Sequence, residues 1–280
     1  MAISAQDVKK LRDLTGAGMM DCKKALSEAG GDFDKAIEEL RKKGQKLSAK
    51  RADRDANEGV VMALTSHNRN NGIVFKLGCE TDFVAKTDSF IELAKTIGEI
   101  ALKNLPDSTD ALLNLPYDGG ISIAKKVEEQ VGVIGEKLEV SNYHKIETTA
   151  GEGQVIPYIH MGYRAGVIVA LNLEGPDLVE PGKNVAMQVA AMKPVAVDKD
   201  GVDQTVIDKE IEIGMDIARR EGKPEAMLEK IATGKLNKFF KEKTLLNQAY
   251  VKDGKSSVAQ YLDGVKSGLT VTSFKHVELA

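Results

Sequence analysis

The chain has 280 residues, of which 42% are hydrophobic and 29% are charged, a composition typical of a foldable globular protein rather than a disordered one. Its 39 Lys and Arg residues nearly balance 42 Asp and Glu residues, which disfavours a broad basic face for duplex nucleic acid. With 6 Tyr, 7 Phe and no Trp, a base-stacking platform is disfavoured too. The length predicts about two domains.

The cysteines and the absence of a long apolar segment indicate the cellular compartment of the protein. Cys22 and Cys79 form neither a CxxC pair nor a metal-ligand cluster, which favours a reducing compartment. The N-terminal residues MAISAQDVKK lack the apolar segment of a signal peptide, and no apolar run reaches the ~18 residues of a membrane-spanning helix. We therefore expect a cytoplasmic protein with no membrane attachment.

Residues 1–43 predict a small N-terminal domain of three helices. Val8, Leu11 and Leu14 have helical spacing, and Thr15-Gly-Ala-Gly18 then breaks the pattern. A second helix follows from about Asp21, and a third begins after Gly30-Gly31-Asp32.

Residues 44–58 are expected to form a linker. The run Arg41–Asp55 contains seven basic and two acidic residues, and Gly44 stands at the start of its polar part. A solvated linker or exposed helix is the favoured interpretation, and an RNA-binding segment over 41–54 is the alternative.

Strand patterns begin at residue 59 and occur twice. In residues 59–147, a hairpin of strands (59–65 and 73–77) precedes a helix over 88–103, a loop region over 104–120, a short helix and a strand near 137–147. A second hairpin and helix follow in residues 148–202, and residues 244–280 add a short helix and a final strand.

Three residue pairs are 94 positions apart: Gly59 and Gly153, Gly72 and Gly166, Leu77 and Leu171. These features predict an α+β fold with two similar subdomains.

Residues 203–243 predict an antiparallel helical hairpin. Ile207, Ile211 and Gly214 mark the apolar stripe of the first helix, and Gly222-Lys223-Pro224 makes the turn. The stripe is narrow, so each helix is expected to bury mainly against the other.

The sequence offers no convincing active site, so we expect a protein that is not an enzyme and needs no metal or cofactor of its own. None of the four histidines lies in a nucleophile motif or in HExxH. Gly16-Ala-Gly18 lacks both the preceding strand and the spacing of a phosphate-binding loop.

Two segments do not fit a purely structural role. Met19 and Met20 are adjacent at a turn between helices, so either one of them is exposed as an adaptable contact or both complete the small core. Phe83 lies in the polar junction Cys79–Lys86 after a strand. It is either an interface anchor or a side chain packed beneath a helix capped by Thr81 or Asp82.

The segments LRDLTGAGMMDCKKAL (Leu11–Leu26) and KLGCETDFVAK (Lys76–Lys86) closely resemble the two signature segments of the elongation factor Ts family. VAMQVAAMKP (Val185–Pro194) resembles a third, and the resemblance covers essentially the whole chain. The family pattern usually has Glu and Asn where this chain has Lys76 and Gly78. The sequence also ends soon after its final predicted strand, without the C-terminal helical module that some members carry.

The resemblance implies a guanine-nucleotide exchange factor for elongation factor Tu, with a ubiquitin-associated-like three-helix domain, two α+β subdomains and a helical hairpin. It implies that Thr81, Asp82, Phe83 and Val84 form the segment that displaces Mg²⁺ from the GDP-bound partner and disturbs its phosphate-binding loop. It further implies that Arg12, Met19 and Met20 bind the partner's GTPase domain and that His160 faces another domain of the partner. Dimerisation within the complex, through the hairpin or the core, is left open.

Overall fold

A computed structural model describes residues 3–118 and 120–280, so the first two residues of the predicted N-terminal domain and Gly119 of the predicted 104–120 loop lie outside it. Helices and strands both contribute to the described residues, which confirms the α+β class. The α-helices are α1 (Ala5–Thr15), α2 (Met19–Glu28), α3 (Phe33–Lys50), α4 (Asp82–Ala85), α5 (Asp88–Asn104), α6 (Thr109–Asn114), α7 (Ile123–Ile134), α8 (Val179–Met192), α9 (Gln204–Arg220), α10 (Glu225–Lys243) and α11 (Val258–Val265). The strands are β1 (Glu58–Thr65), β2 (Asn71–Cys79), β3 (Pro116–Asp118), β4 (Ile121–Ser122), β5 (Glu139–Glu147), β6 (Gln154–Ile159), β7 (Ala165–Leu171) and β8 (Val271–Glu278).

Helices α1, α2 and α3 enclose a small core of their own. Ser4 and Asp7 cap α1 reciprocally, Gly16 ends it in the left-handed region at φ 72°, and Asp32 caps α3. The buried residues of this core are Val8, Leu11, Ala17, Cys22, Ala25, Leu26 and Ala36. A core this small supplies little burial energy, so the three helices depend on contacts with the rest of the chain.

Helix α3 overruns the predicted linker and reaches Lys50, because Gly44 is a packing position rather than a helix end. A Cβ atom on Gly44 would lie 2.9 Å from the carbonyl oxygen of Glu128 in α7, and one on Gly132 would lie 2.7 Å from the Cα of Gly44. Arg41 adds an ion pair to Glu129, with Nε 2.7 Å from Oε1. Two glycines thus let the backbones of α3 and α7 meet closely and fix the N-terminal helices on the sheets.

The strands form two three-stranded antiparallel sheets, ordered β1-β2-β5 and β6-β7-β8, and a small β3-β4 ribbon. In each three-stranded sheet, two consecutive strands form a hairpin and the third strand pairs with the second. The predicted 104–120 loop contains α6 and β3, which are too short to leave a clear periodic signal.

The two sheets pack face to face, and helices cover their outer faces. In β1, Val60 and Met62 face the cluster formed with α5 and α7, whereas Val61 and Ala63 face the other sheet. Strand β7 alternates in the same way: Val167, Val169 and Leu171 face α8 and α11, and Ile168 and Ala170 face the first sheet. Successive side chains of a strand point to opposite faces, so strands buried on both sides read as continuous apolar runs.

Glycines make this close approach of the sheets possible. A Cβ on Gly72 would lie 2.4 Å from Cγ1 of Val155, and one on Gly166 would lie 2.8 Å from Cγ1 of Val61. The two contacts correspond, because Gly166 lies 94 residues after Gly72 and Val155 lies 94 residues after Val61. At the other end of the hairpins, a Cβ on Gly59 or Gly153 would approach the carbonyl oxygen of Leu77 or Leu171 to 2.2 Å.

Helices α9 and α10 form the predicted antiparallel hairpin. A Cβ on Gly214 would lie 3.1 Å from the Cα of Ala232, so small residues set the helix spacing. At its base the entering and leaving chains are joined by hydrogen bonds from Val195 to Lys243 and from Leu245 to Ala196. Within the described residues, every helix is too short or too polar to cross a membrane.

We predict that Gly44→Ala lowers the free energy of unfolding by about 1–2 kcal/mol, because its methyl group would meet the α7 backbone. Gly234→Ala is the matched control: this glycine also lies in a helix, but its Cβ would enter open space. The control is expected to raise stability by about 0.5–1 kcal/mol, and urea denaturation measures both. Equal stabilisation by the two alanines would contradict the close α3–α7 contact.

Candidate functional site

The residues Thr81–Ala85 follow the end of β2 and form a single helical turn, the Phe83 turn, which consists of Thr81 and helix α4. Thr81 caps the four-residue helix α4, its Oγ1 accepting a hydrogen bond from the Val84 amide at 3.4 Å. Val84 packs against the core beneath it, and Ala85 is buried. A helix of four residues cannot hold itself together in water, so tertiary contacts must fix its orientation.

Phe83 points away from the protein and is 80% exposed. Of the two interpretations that the sequence left open, packing beneath the helix is wrong for Phe83, although Thr81 does cap the turn. Neighbouring positions in one helical turn point in different directions, so anchoring Val84 and Ala85 sends Phe83 outward. The turn presents one large apolar ring on an otherwise polar surface.

The carboxylate of Glu136 holds the start of this turn. It lies in the loop between α7 and β5, and Oε2 accepts hydrogen bonds from the backbone amides of Glu80 and Thr81 at 3.1 and 3.0 Å. Oε1 accepts a third, from the Thr81 hydroxyl at 2.6 Å. No local sequence pattern marks Glu136, since 55 residues separate it from Thr81.

The side chain of Glu80 accepts a hydrogen bond from the loop that contains Glu136, and it also contacts residues that follow the N-terminal helices. Its Oε1 accepts from the Lys137 amide and from Arg51, each at 2.6 Å, and Arg54 lies 3.6 Å from Oε2. The hydrogen bond from the Lys137 amide is the main cause that holds the pKa of Glu80 below its usual value, and the hydrogen bond from Arg51 lowers the pKa further. Arg51 immediately follows α3, so the site and the N-terminal helices share this carboxylate.

Cys79 and Asp82 make further polar contacts at the turn. Cys79 donates from Sγ to the carbonyl oxygen of Thr81 at 3.1 Å, and burial, followed by the charge of Glu136, raises the pKa of its thiol to about 12. This thiol therefore stays protonated and is a poor nucleophile. Asp82 pairs with Lys86 at 2.6 Å, and the hydrogen bond from Lys86 lowers the pKa of the carboxyl.

The N-terminal motif places apolar side chains on the surface where α1 and α2 meet. Met20 is 76% exposed and Met19 is 42% exposed, so the interpretation that both complete the small core is wrong. Leu14, expected on the buried stripe, is 64% exposed, and Arg12 is exposed beside it. Leu14 has the spacing of a core residue but falls in the last turn of α1, beyond the reach of the small core.

His160 lies at the turn between β6 and β7, in the second sheet. It is exposed, and its Nδ1 lies 2.9 Å from the hydroxyl of Tyr158. Met161 beside it is 87% exposed, so this turn presents a second apolar side chain to solvent. In residues 3–118 and 120–280, no group of three or more His, Cys, Asp or Glu side chains is arranged to hold a metal ion.

The basic run is largely neutralised within the chain. Arg41, Lys42 and Lys43 pair with acidic side chains of α7, α3 and α2. Arg51 and Arg54 share the carboxylate of Glu80. Ion-paired cations are less available to bind phosphates, so this surface is less basic than its sequence suggests.

Comparison with known proteins agrees with the two motifs. The family profile described as Elongation factor TS matches residues 80–280. The proteins named Elongation factor Ts from Amoebophilus asiaticus and Cytophaga hutchinsonii are 54% and 51% identical to the chain, and 99% of each protein and 99% of this chain are covered. The chain belongs to the elongation factor Ts family. It is therefore a factor of translation elongation, and the relatives' matches extend over the N-terminal helices that the profile leaves out.

In this member of the elongation factor Ts family, the Phe83 turn lies in the connection between β2 and α5. This connection is longer than the corresponding one between β7 and α8. Strand positions recur 94 residues apart, as with Leu77 and Leu171. The buried positions of α5 and α8 recur 88 residues apart instead: Leu93 corresponds to Pro181, and Ile97 corresponds to Val185. Leu105 and Lys193 both end their helices in the left-handed region. The first connection is thus longer by the difference between 94 and 88, which is 6 residues, and it contains α4.

We predict that Glu80 stabilises the fold at neutral pH and loses this effect in acid. Because its pKa is lowered in the folded state, its contribution is present above the unfolded value of about 4.3 and disappears as pH falls through the folded value. Wild type should be more stable than Glu80→Gln at pH 7, and the gap should close below about pH 4.

Thermal denaturation between pH 7 and pH 3 measures this gap. Glu99→Gln is the control, because Glu99 is exposed on the outer face of α5. A gap between wild type and Glu80→Gln that stays constant over this range would contradict the role given to the ionised carboxylate.

Proposed function

We propose that the protein is the guanine-nucleotide exchange factor for elongation factor Tu: it binds the GDP form and promotes GDP release during translation elongation. The observation that carries this proposal is Phe83, 80% exposed on a turn that hydrogen bonds hold in place. An exposed aromatic ring on a rigid support is suited to enter an apolar pocket of a partner protein. Membership of the elongation factor Ts family supports the choice of partner.

The proposed mechanism needs no covalent step. In the GDP complex, Mg²⁺ and the phosphate-binding loop hold the nucleotide electrostatically. The segment Thr81–Val84 would insert Phe83 beside that site, displace Mg²⁺ and distort the loop. The coupling between the two binding events is reciprocal. A protein that binds the distorted GTPase more tightly therefore weakens the binding of GDP by the same ratio.

The exposed residues elsewhere are proposed to bind the partner rather than to release the nucleotide. Arg12, Met19 and Met20 would contact the GTPase domain, and the methionines are suited to this because their flexible, polarisable side chains adapt to another surface. His160, with Met161 beside it, would face a second domain of the partner.

We propose the following finer architecture for the chain. Residues 1–43 would be a ubiquitin-associated-like domain, with 44–58 connecting it to the core and the first part of that connection helical. Residues 59–147 would form one subdomain, and 148–202 with 244–280 would form a similar one. The corresponding contacts of Gly72 and Gly166 support this division. Residues 203–243 would form a hairpin open to self-association, and the protein would act in the cytoplasm, where elongation takes place.

A role for segment 41–54 in RNA binding is the weaker proposal. Five of its seven basic side chains, Arg41, Lys42, Lys43, Arg51 and Arg54, are ion-paired within the chain. An RNA partner would have to compete with these pairs, so a protein partner is the better supported choice.

We predict that Phe83→Ala lowers the maximal rate of GDP release at least tenfold, because burial of the ring supplies energy of about 1.5–3 kcal/mol. Elongation factor Tu from the same source is loaded with fluorescent GDP, and release is followed at saturating amounts of the variant. The melting temperature should not change, because Phe83 is exposed in the free protein. Val265→Ala, at an exposed apolar position of α11, is the control, and wild-type release by Phe83→Ala would refute the mechanism.

Met20→Asp should instead raise the concentration of factor needed for half-maximal release and leave the maximal rate within about twofold. The aspartate lies in the first turn of α2, where the helix dipole tolerates it, so the fold is preserved. The same release assay, titrated with the variant, separates the two effects. A normal half-saturating concentration would argue against a docking role for the N-terminal motif.

A further inference from the structure

The Phe83 turn is held by a carboxylate that lies far from it in sequence. Glu136 accepts hydrogen bonds from two consecutive amides and from the Thr81 hydroxyl, at 3.1, 3.0 and 2.6 Å. The two amides belong to Glu80 and Thr81, which directly precede α4 and have no partner within that helix. The Thr81 hydroxyl that donates to Glu136 also accepts from Val84, so the carboxylate acts through Thr81 on the first turn of α4.

The two segments hold each other reciprocally. Glu136 accepts from the backbone at Glu80 and Thr81, and the next residue, Lys137, donates its own amide to the Glu80 side chain at 2.6 Å. Lys137 Nζ further donates to the carbonyl oxygens of Ala52 and Arg54 at 2.9 and 2.8 Å. Four charge-assisted bonds therefore join the loop after α7 to the end of β2, and such bonds are stronger than neutral ones.

The Phe83 side chain itself contributes little to fixing its own direction. Its ring is 80% exposed, and α4 has only four residues, so neither packing of the ring nor helix propensity holds it. The ring direction is set by the backbone of the turn, which the bonds to Glu136 hold at its start and the packing of Val84 and Ala85 holds at its end. A group held in its bound orientation loses less conformational entropy on binding than a mobile one.

We propose that Glu136 is the positioning residue for Phe83: by fixing the Glu80–Thr81 backbone it presents the ring in the orientation that releases the nucleotide. This inference rests on the proposed exchange function. Glu136 acts through Phe83 and does not itself need to touch the partner. This role explains why the half-buried carboxylate of Glu136 accepts hydrogen bonds from two backbone amides and one hydroxyl of a segment distant in sequence.

The experiment combines Glu136→Ala with Phe83→Ala in a double-mutant cycle. Alone, Glu136→Ala should lower the maximal rate of GDP release from elongation factor Tu about tenfold, with a change of less than about threefold in the half-saturating concentration. In the Phe83→Ala background, the same substitution should change the rate by less than about twofold, because the ring it positions is absent. Glu136→Gln keeps an acceptor oxygen for the two amides and should retain most of the activity.

A second measurement does not depend on the partner. Hydrogen–deuterium exchange of the peptide covering residues 80–87 should be faster in Glu136→Ala than in wild type, and unchanged in Glu99→Ala, the exposed control on α5. Melting temperature is measured for every variant, and Glu136→Gln keeps the test valid if Glu136→Ala folds poorly.

Three results would overturn the positioning role. These are a normal release rate in Glu136→Ala, an equal loss with and without Phe83, and unchanged amide exchange in residues 80–87. Failure of the proposed function would look different, since wild type itself would not accelerate GDP release. Faster amide exchange in Glu136→Ala would then still support the hold on the turn.

Discussion

The face-to-face packing of the two three-stranded sheets is the constraint on which the rest of the fold depends. It requires a residue without a side chain where the backbone of one sheet meets a valine of the other, and Gly72 and Gly166 meet Val155 and Val61 in this way. Both faces of β1, β2 and β7 are buried as a result, one by the other sheet and one by helices. Burial on two sides makes these strands rigid supports for the loops at their ends.

Strand register then brings the parts of the site together. Strands β2 and β5 are antiparallel neighbours in which Gly78 pairs with Glu139, so the residues after β2 lie beside those before β5. Glu136 can therefore reach the amides of Glu80 and Thr81 across a large gap in sequence. At the corresponding place the second sheet has a shorter connection, in which the 3₁₀ turn Pro176–Leu178 leads directly into α8 and carries no aromatic ring.

The N-terminal helices pack directly against this arrangement. Gly44 and Gly132 place α3 directly on α7, and Arg51 carries the contact on to Glu80. Helix α7 leads into the loop that holds Glu136, so one helix supports both the N-terminal motif and the Phe83 turn. Exposed apolar side chains at Met20 and Phe83 are thus held on one connected framework, which suits the proposed binding of one partner at several points.

The sequence by itself determined the α+β class, the order of most helices and strands, and the two motifs that identify the family. Those signals are local: the period of apolar residues, turn residues such as Gly30-Gly31-Asp32, and contiguous strings such as Thr81–Val84. Only the tertiary structure decided that Phe83 and Leu14 face solvent, that Gly44 is a packing site, and that Glu136 holds the Phe83 turn. Exposure and long-range hydrogen bonds depend on which segments meet in space, and chain folding sets those meetings over separations that no local pattern records.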